Sequence, residues 1–414
     1  MSAAPRWIFR PAVLWLAFVL VHAWLLWLSG IVVPEALGDV TGIYHFWVLG
    51  GLSGRYLVGV TTPWVYPVLA LIPLFAPVLA GANNYLWGWL GMVTILDAIG
   101  FGVLIHWWRP RAPRARAAWW WMGALVALGP IAVGRLDTPV TPLAICALLF
   151  VLTRPMLAGA LMAVGAWIKV WPAAILLAAI ALVRRRLALL FGAVAVTLVV
   201  VIVDLALGGG ANILSFIGFQ SNRGLQIESP AATPFLWLAT NPTSGLEVFF
   251  DDDILTFEVR GPGVAAAATV VSVLMILGVL AVCVLLWLRL RDAQRDGLRV
   301  VQYLPAATLA FVMVLIAFNK VGSPQYFTWL IAPIVAGLVI DRSRFAAISA
   351  LGLVGCVLTQ MIYPWVYNDI LTLNPIALVA LSARNVLELV LLGMSLWLLG
   401  RRREQSRELR PDHV

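Results

Sequence analysis

The chain is a succession of apolar runs, most of them about 20 residues long, with arginines clustered in the short connections between them. As a helix, a run of that length matches the hydrocarbon thickness of a bilayer. Hydrocarbon offers no partner to an unpaired backbone group, so only helices that satisfy their own N–H and C=O groups, or closed barrels, can cross it. Charged residues make up 11% of the 414 residues, against roughly 25% in a soluble domain. Such a chain cannot cover itself with a water-compatible surface, and the expected fold class is an all-α polytopic membrane protein. The net charge of +9 resides largely in those arginine clusters. Clusters of that kind hold connections on the cytoplasmic side, so the charge is no sign of nucleic-acid binding. Cys146, Cys283 and Cys356 all fall inside apolar runs, as expected for reduced, buried thiols rather than a disulfide framework.

Keeping every arginine cluster on one side orders the spans. The first runs over about 11–31, starting inside behind Arg6 and Arg10; it reads as a retained anchor, since no small-x-small cleavage site follows. The segment 66–80 carries Pro67, Pro73 and Pro77 and is short, so it is expected to enter from outside without crossing. Spans then follow at about 84–108, 117–134, 139–153, 156–168, 170–183, 187–207, 262–289, 300–317 and 325–340, with one ending near Tyr363 and a last one before Arg401. The total is about twelve, with both termini cytoplasmic. A single membrane domain is expected over 1–414, with a first external loop at about 32–83, a long one at about 208–260, and a cytoplasmic tail at about 401–414.

This threading gathers the unusual polar residues on the outer side: Asp39, Tyr44, His45, Arg55, Tyr66, Arg135, Asp137 and Lys169, the stretch Gln220–Ser229, and Asn319, Lys320, Gln325 and Tyr326. Ionisable groups at a membrane boundary are costly and invite a functional reading, but each has a structural alternative. Asp39 is a suitable N-cap for a helix starting near Val40. His45 fits a polar belt beside Phe46 and Trp47. Arg135 and Asp137 are close enough in sequence to pair with each other. Lys169 can snorkel between its flanking tryptophans, although Pro172 fixes its depth. Around Arg223, a polar hairpin-like or short helical insert is expected, with Glu228 orienting the arginine or acting alone; arginine suits bidentate phosphate recognition. Asp251-Asp252-Asp253 lacks ligand spacing and reads as a solvated loop. Asp97 and Asp204 have no role beyond packing or pairing.

No nucleotide-cradling glycine loop, GxSxG or His/Cys cluster is present. An activated substrate would therefore come from the membrane itself. The segments Asp39-x-x-x-x-Tyr44-His45, YPVLALIPLFAP from Tyr66, RPMLAGALMAVGAWIKVWPAAIL from Arg154, RGLQIES from Arg223 and NKVGSPQYFTWLIAP from Asn319 occur in that order over most of the chain. In them the chain resembles the GT-C glycosyltransferases, specifically family 87, the polyprenyl-phosphate-sugar-dependent mannosyl- and arabinofuranosyltransferases. Val68 departs from the second proline that often follows the family's Tyr-Pro.

The resemblance implies a GT-C-type helical bundle with juxtamembrane helices in the first external loop. It also implies an active site facing outside in a bacterial plasma membrane, and inverting transfer from a lipid-phosphate sugar. Mannose is the first expectation and arabinofuranose the second; the acceptor would be a glycolipid or envelope glycan. A phosphate leaving group needs no general acid, so one carboxylate should suffice as base, and cations should hold the phosphate as charge builds on it. Asp39 is the expected base, and Arg223, Lys169 and Lys320 the expected phosphate ligands. Tyr44, His45, Tyr66, Gln226, Glu228, Gln325 and Tyr326 are expected around the substrates. No cofactor or metal is expected, the lipid-linked sugar being a substrate; the partners are membrane lipids, donor and acceptor, with the protein a monomer. The rival reading is a transporter or lipid flippase, which would place polar residues at mid-membrane and often show repeated halves. A purely structural subunit would give Asp39, Arg223 and Lys320 no reason to share a face.

Overall fold

The computed structural model describes residues 5–221, 223–252, 254–296 and 300–401. Asn222, Asp253 of the acidic run, and the expected tail beyond Arg401 lie outside the described residues.

From the amino end come α1 (Pro11–Trp27), α2 (His45–Leu52), the short α3 (Leu71–Phe75) and α4 (Tyr85–Leu104). Next are α5 (Ala112–Leu128), α6 (Val140–Phe150), α7 (Pro155–Ile168), α8 (Pro172–Leu182) and α9 (Arg186–Ala206). The long connection that follows holds α10 (Ser215–Ser221), β1 (Leu225–Gln226), α11 (Thr233–Ala239), β2 (Glu247–Asp251) and β3 (Thr256–Arg260). The chain closes with α12 (Val264–Asp296), α13 (Leu304–Ala317), α14 (Ile331–Ile340), α15 (Arg342–Gln360), α16 (Tyr367–Leu371) and α17 (Pro375–Gly400). Every expected span is helical, and the segment after Pro67 is a run of short helical turns.

Among the described residues, six helical segments are long and apolar enough to cross a membrane: Pro11–Val32, Ala82–Leu104, Arg186–Ala206, Val264–Arg291, Arg342–Trp365 and Pro375–Gly400. The chain is an all-α polytopic membrane protein carrying one small sheet. The remaining apolar helices are shorter. With 11 residues each, α6 and α8 rise only about 17 Å, against a hydrocarbon core of about 30 Å. A helix that short cannot carry both polar ends to the two surfaces, so residues at its end are drawn into the bundle.

Small residues let the short helices sit close. A Cβ on Gly159 of α7 would collide with the Leu189 carbonyl, and one on Gly192 of α9 with the Met156 carbonyl, so the two backbones meet nearly directly. The centre of the bundle is α13, where every residue except Leu315 is buried. A helix apolar on all faces fits only such a place.

The two ends of the bundle differ in chemistry. At one end Trp15 donates to the Trp107 carbonyl, Trp119 to Ile8 and Arg344 to Leu398. These bonds join the chain start, the connection before α5, the α14–α15 turn and the end of α17, which are the arginine-bearing connections. At the other end lie the loops that carry Asp39, Arg135, Lys169, Arg223 and Gln325.

The Arg223 region is neither a closed hairpin nor a helical insert. Its β1 is the outer strand of a three-stranded antiparallel sheet in the order β1-β3-β2, with Leu225 opposite Val259 and Gln226 opposite Glu258. The Gln226 N–H donates to the Lys320 carbonyl at 3.0 Å, which ties the sheet to the loop after α13.

Candidate active site

Beyond α1 the chain winds unevenly. A π-helical turn over Leu28–Val32 is followed by a 3-10 turn at Pro34–Leu37 and a second π-helical turn at Asp39–Tyr44 that runs into α2. Single π turns recur at functional sites because they re-aim side chains. Asp39 is therefore not a cap ahead of a helix but lies within the wound segment, and its carboxylate is used elsewhere. Its Oδ2 lies 3.4 Å from Arg135 Nε.

Arg135 comes from the turn between α5 and α6. Its Nη1 donates to the carbonyls of Ala36, at 3.3 Å, and Gly134, at 3.1 Å, and its guanidinium lies over the Tyr363 ring. Burial, the largest influence, disfavours the charge, but Asp39, Tyr363 and Tyr44 together outweigh it and raise Arg135 above its ordinary value. The expected Arg135–Asp137 pair is not formed. Two residues apart in a tight turn, their side chains diverge, and each takes a partner from another element. Asp137 accepts from Trp329 Nε1 and pairs with Lys169 Nζ at 3.4 Å.

Lys169 stands where α7 ends and Pro172 begins α8, with extended backbone. Its ammonium lies 4.3 Å from the centre of the Tyr66 ring. Burial opposes its charge, yet Asp137, followed by Tyr66 and Tyr326, raises it above its ordinary value. Two ion pairs thus sit close together: Asp39–Arg135, with Asp39 one-third exposed, and the buried Asp137–Lys169.

A cavity of about 440 Å³ opens above them. Asp39, Tyr44, Tyr66, Arg223, Gln226, Glu228 and Gln325, from four separate parts of the chain, all line it. Its wall is otherwise aromatic and apolar, with Trp47 and Trp64 on the side of the first loop, and Phe250, Ile254 and Leu255 from the β2–β3 hairpin opposite. Arg135, Tyr363 and Tyr367 complete it.

Arg223 lines the same cavity, and its Nε has no hydrogen-bond partner among the described residues. Nearby Glu258 is buried on β3, where desolvation, then Asp251, raises its carboxyl, while Arg223 and a Gly224 hydrogen bond lower it.

Four expected site residues lie off this wall. His45 follows Tyr44 by one residue, so it leaves the helix about 100° away; it stacks on Tyr85, with ring centres 4.7 Å apart. Lys169 lies beneath Tyr66 and is committed to Asp137. Tyr326 is buried against Trp329. Lys320 is absent from the wall; burial lowers it, Glu258 raises it and Arg223 lowers it. Arg55 is exposed and donates to the Ser53 hydroxyl, away from the site. Asp97 finds its partner in His22, at 3.2 Å between α4 and α1.

Three contributors are absent from the residues expected at the site. Tyr363 and Tyr367 look like ordinary boundary aromatics, yet the Tyr367 hydroxyl donates to Glu228 Oε1 at 3.0 Å. Arg384 is fully buried on α17, where it pairs with Glu388 and donates to the backbone carbonyls of Glu228 and Gly322. An arginine inside a 26-residue apolar helix is a signal that would have found it.

No family model and no curated protein matches the chain. Among solved structures it is similar to ArnT from Cupriavidus metallidurans in the apo state, with 16% identity and a TM-score of 0.43 over 88% of this chain and 72% of that one. A TM-score of that size does not establish a common fold.

Proposed function

We propose that the protein is a membrane glycosyltransferase that takes its sugar from a polyprenyl phosphate, as the resemblance of its segments to family 87 implies. The observation that carries this reading is a single cavity, at the end of the bundle away from the arginine clusters, whose lining includes both Asp39 and Arg223. Trp47, Trp64 and Tyr66 offer ring faces suited to a sugar.

In this reading the acceptor hydroxyl attacks the anomeric carbon as the bond to the phosphate oxygen breaks. The proton passes to Asp39, and the polyprenyl phosphate departs with the bonding pair. Arg135 grips one carboxylate oxygen and orients the base. Arg223 meets the phosphate charge, while Lys169 acts from behind Tyr66 and through Asp137 rather than by contact. Mannose is the proposed sugar, with arabinofuranose the alternative, and the acceptor is a glycolipid or envelope glycan.

The test is transfer from labelled polyprenyl-phosphate mannose or arabinofuranose by the purified protein in liposomes. Asp39→Asn is expected to lower the rate by roughly 10²–10⁴-fold, the usual weight of a general base, while donor binding persists. A near-normal rate in that variant would remove Asp39 from the role. Translocation of the lipid or solute without covalent transfer would point to a transporter instead.

A further inference from the structure

We infer that Glu228 is a hydrogen-bond donor of the cavity: a carboxylic acid held neutral, whose Oε2–H meets a phosphate oxygen of the lipid-linked substrate. This rests on the phosphate-binding reading above and adds a second, uncharged ligand to Arg223.

Both cavity carboxylates line the wall, but in different surroundings. Asp39 is one-third exposed and paired with a cation. Glu228 is 2% exposed and forms no ion pair among the described residues. Its Oε1 already accepts from Tyr367, whereas its Oε2 is buried with no hydrogen-bond partner among the described residues, and Glu228 lines the cavity. An ionised carboxylate has only acceptor sites, and a buried unsatisfied anion facing a phosphate would be costly twice over. A protonated carboxyl accepts from Tyr367 at one oxygen and donates from the other, which satisfies both atoms once a ligand oxygen arrives.

The position is rigid. The Glu228 carbonyl accepts from Arg384 Nη2 and Asn385 Nδ2, and a Cβ on Gly322 would collide with the Glu228 backbone, so the turn after β1 is held in place. The titratable or charged groups facing Glu228 are Tyr367 on α16 and Arg384 on α17, with Gln226 on β1 as its other polar neighbour. Tyr363 and Arg135 reach Tyr367 in turn. Desolvation, the largest influence, raises Glu228 above its ordinary value, while its hydrogen bonds and Arg384 oppose that.

The experiment measures binding of a polyprenyl phosphate to the full-length protein in nanodiscs from about pH 5 to about pH 9, a range that brackets a raised carboxyl. The wild type is expected to bind less tightly as pH rises and Glu228 ionises. Glu228→Gln keeps a donor of the same shape, so it should retain affinity at neutral pH and lose the Glu228-dependent part of the alkaline decline. Glu228→Ala should weaken binding by on the order of ten-fold or more, the weight of one hydrogen bond to a charged group. Weak binding by Glu228→Gln at neutral pH, or an alkaline decline identical to that of the wild type, would overturn the inference. Transfer by the wild type is scored in parallel. If transfer proceeds while the Glu228 variants behave alike, glycosyl transfer stands and the role of Glu228 falls. Binding without transfer leaves the role of Glu228 standing and sinks the proposed activity.

Discussion

Arg384 on α17 holds together two loops that are far apart in sequence. Its side chain is fully buried. Nη2 donates to the Glu228 carbonyl and, at 3.2 Å, to the Gly322 carbonyl; Nε lies 3.4 Å from Glu388 Oε1. Arg384→Met removes all of these at once, and two separable costs follow. Glu388, whose side chain is 3% exposed, would be left as a buried anion without its cation, at about 3–5 kcal/mol. The Glu228 carbonyl keeps the Asn385 amide at 3.2 Å, so the Gly322 carbonyl and Asn385 Oδ1, which accepts from Arg384 Nε and Nη2, are orphaned, at about 1–3 kcal/mol each. Adding Glu388→Leu eliminates the stranded charge and should recover the larger cost. The assay is thermal unfolding in detergent, followed through tryptophan fluorescence. The expected order is wild type, then the Met/Leu double variant, then Arg384→Met alone. A double variant as unstable as the single one would show that Arg384 acts through the loops rather than the ion pair. A single variant as stable as the wild type would refute both assignments.

Lys169→Met should destabilise by about 3–5 kcal/mol by stranding Asp137, and adding Asp137→Asn should relieve much of this because Trp329 can still donate to the amide oxygen; thermal melts of the single and double variants check it. Gly159→Leu should force α7 from α9, at about 1–3 kcal/mol for overpacking, again read as a lowered melting temperature; an unchanged melt would mean that the crossing relaxes freely. Because burial raises Glu228, folding favours its protonated form. Its contribution to stability is whole below the ordinary glutamate range and is lost as pH climbs through the raised value. Melts of Glu228→Gln across the same pH series should be flatter than those of the wild type.

The amino-acid sequence by itself determined the class, and it showed which polar residues gather at one end of the bundle. Apolar runs matched to a bilayer, with the arginine clusters confined to alternate connections, leave little freedom in how the chain is threaded, and that threading already places Asp39, Arg223 and Gln325 at one end. The proline-interrupted segment after Tyr66 was legible for the same reason: proline removes a donor and cannot sit quietly in a full span. Only the tertiary structure decided which neighbours in sequence become partners in space. Arg135 and Asp137 look like a pair but belong to two different ones, because a tight turn points them apart. Tyr44 and His45 look like one unit, but a helix separates consecutive side chains by about 100°, so one faces the cavity and the other packs on Tyr85. The strand at Leu225–Gln226 depends on hydrogen bonds to Thr256–Arg260, some thirty residues away, which no local periodicity can announce. Arg384 and Tyr367 acquire their roles through contacts that packing brings about, the one each makes with Glu228 among them. Hydropathy acts locally along the chain and can be read from it; charge pairing and cavity lining depend on distances that exist only once the helices have packed.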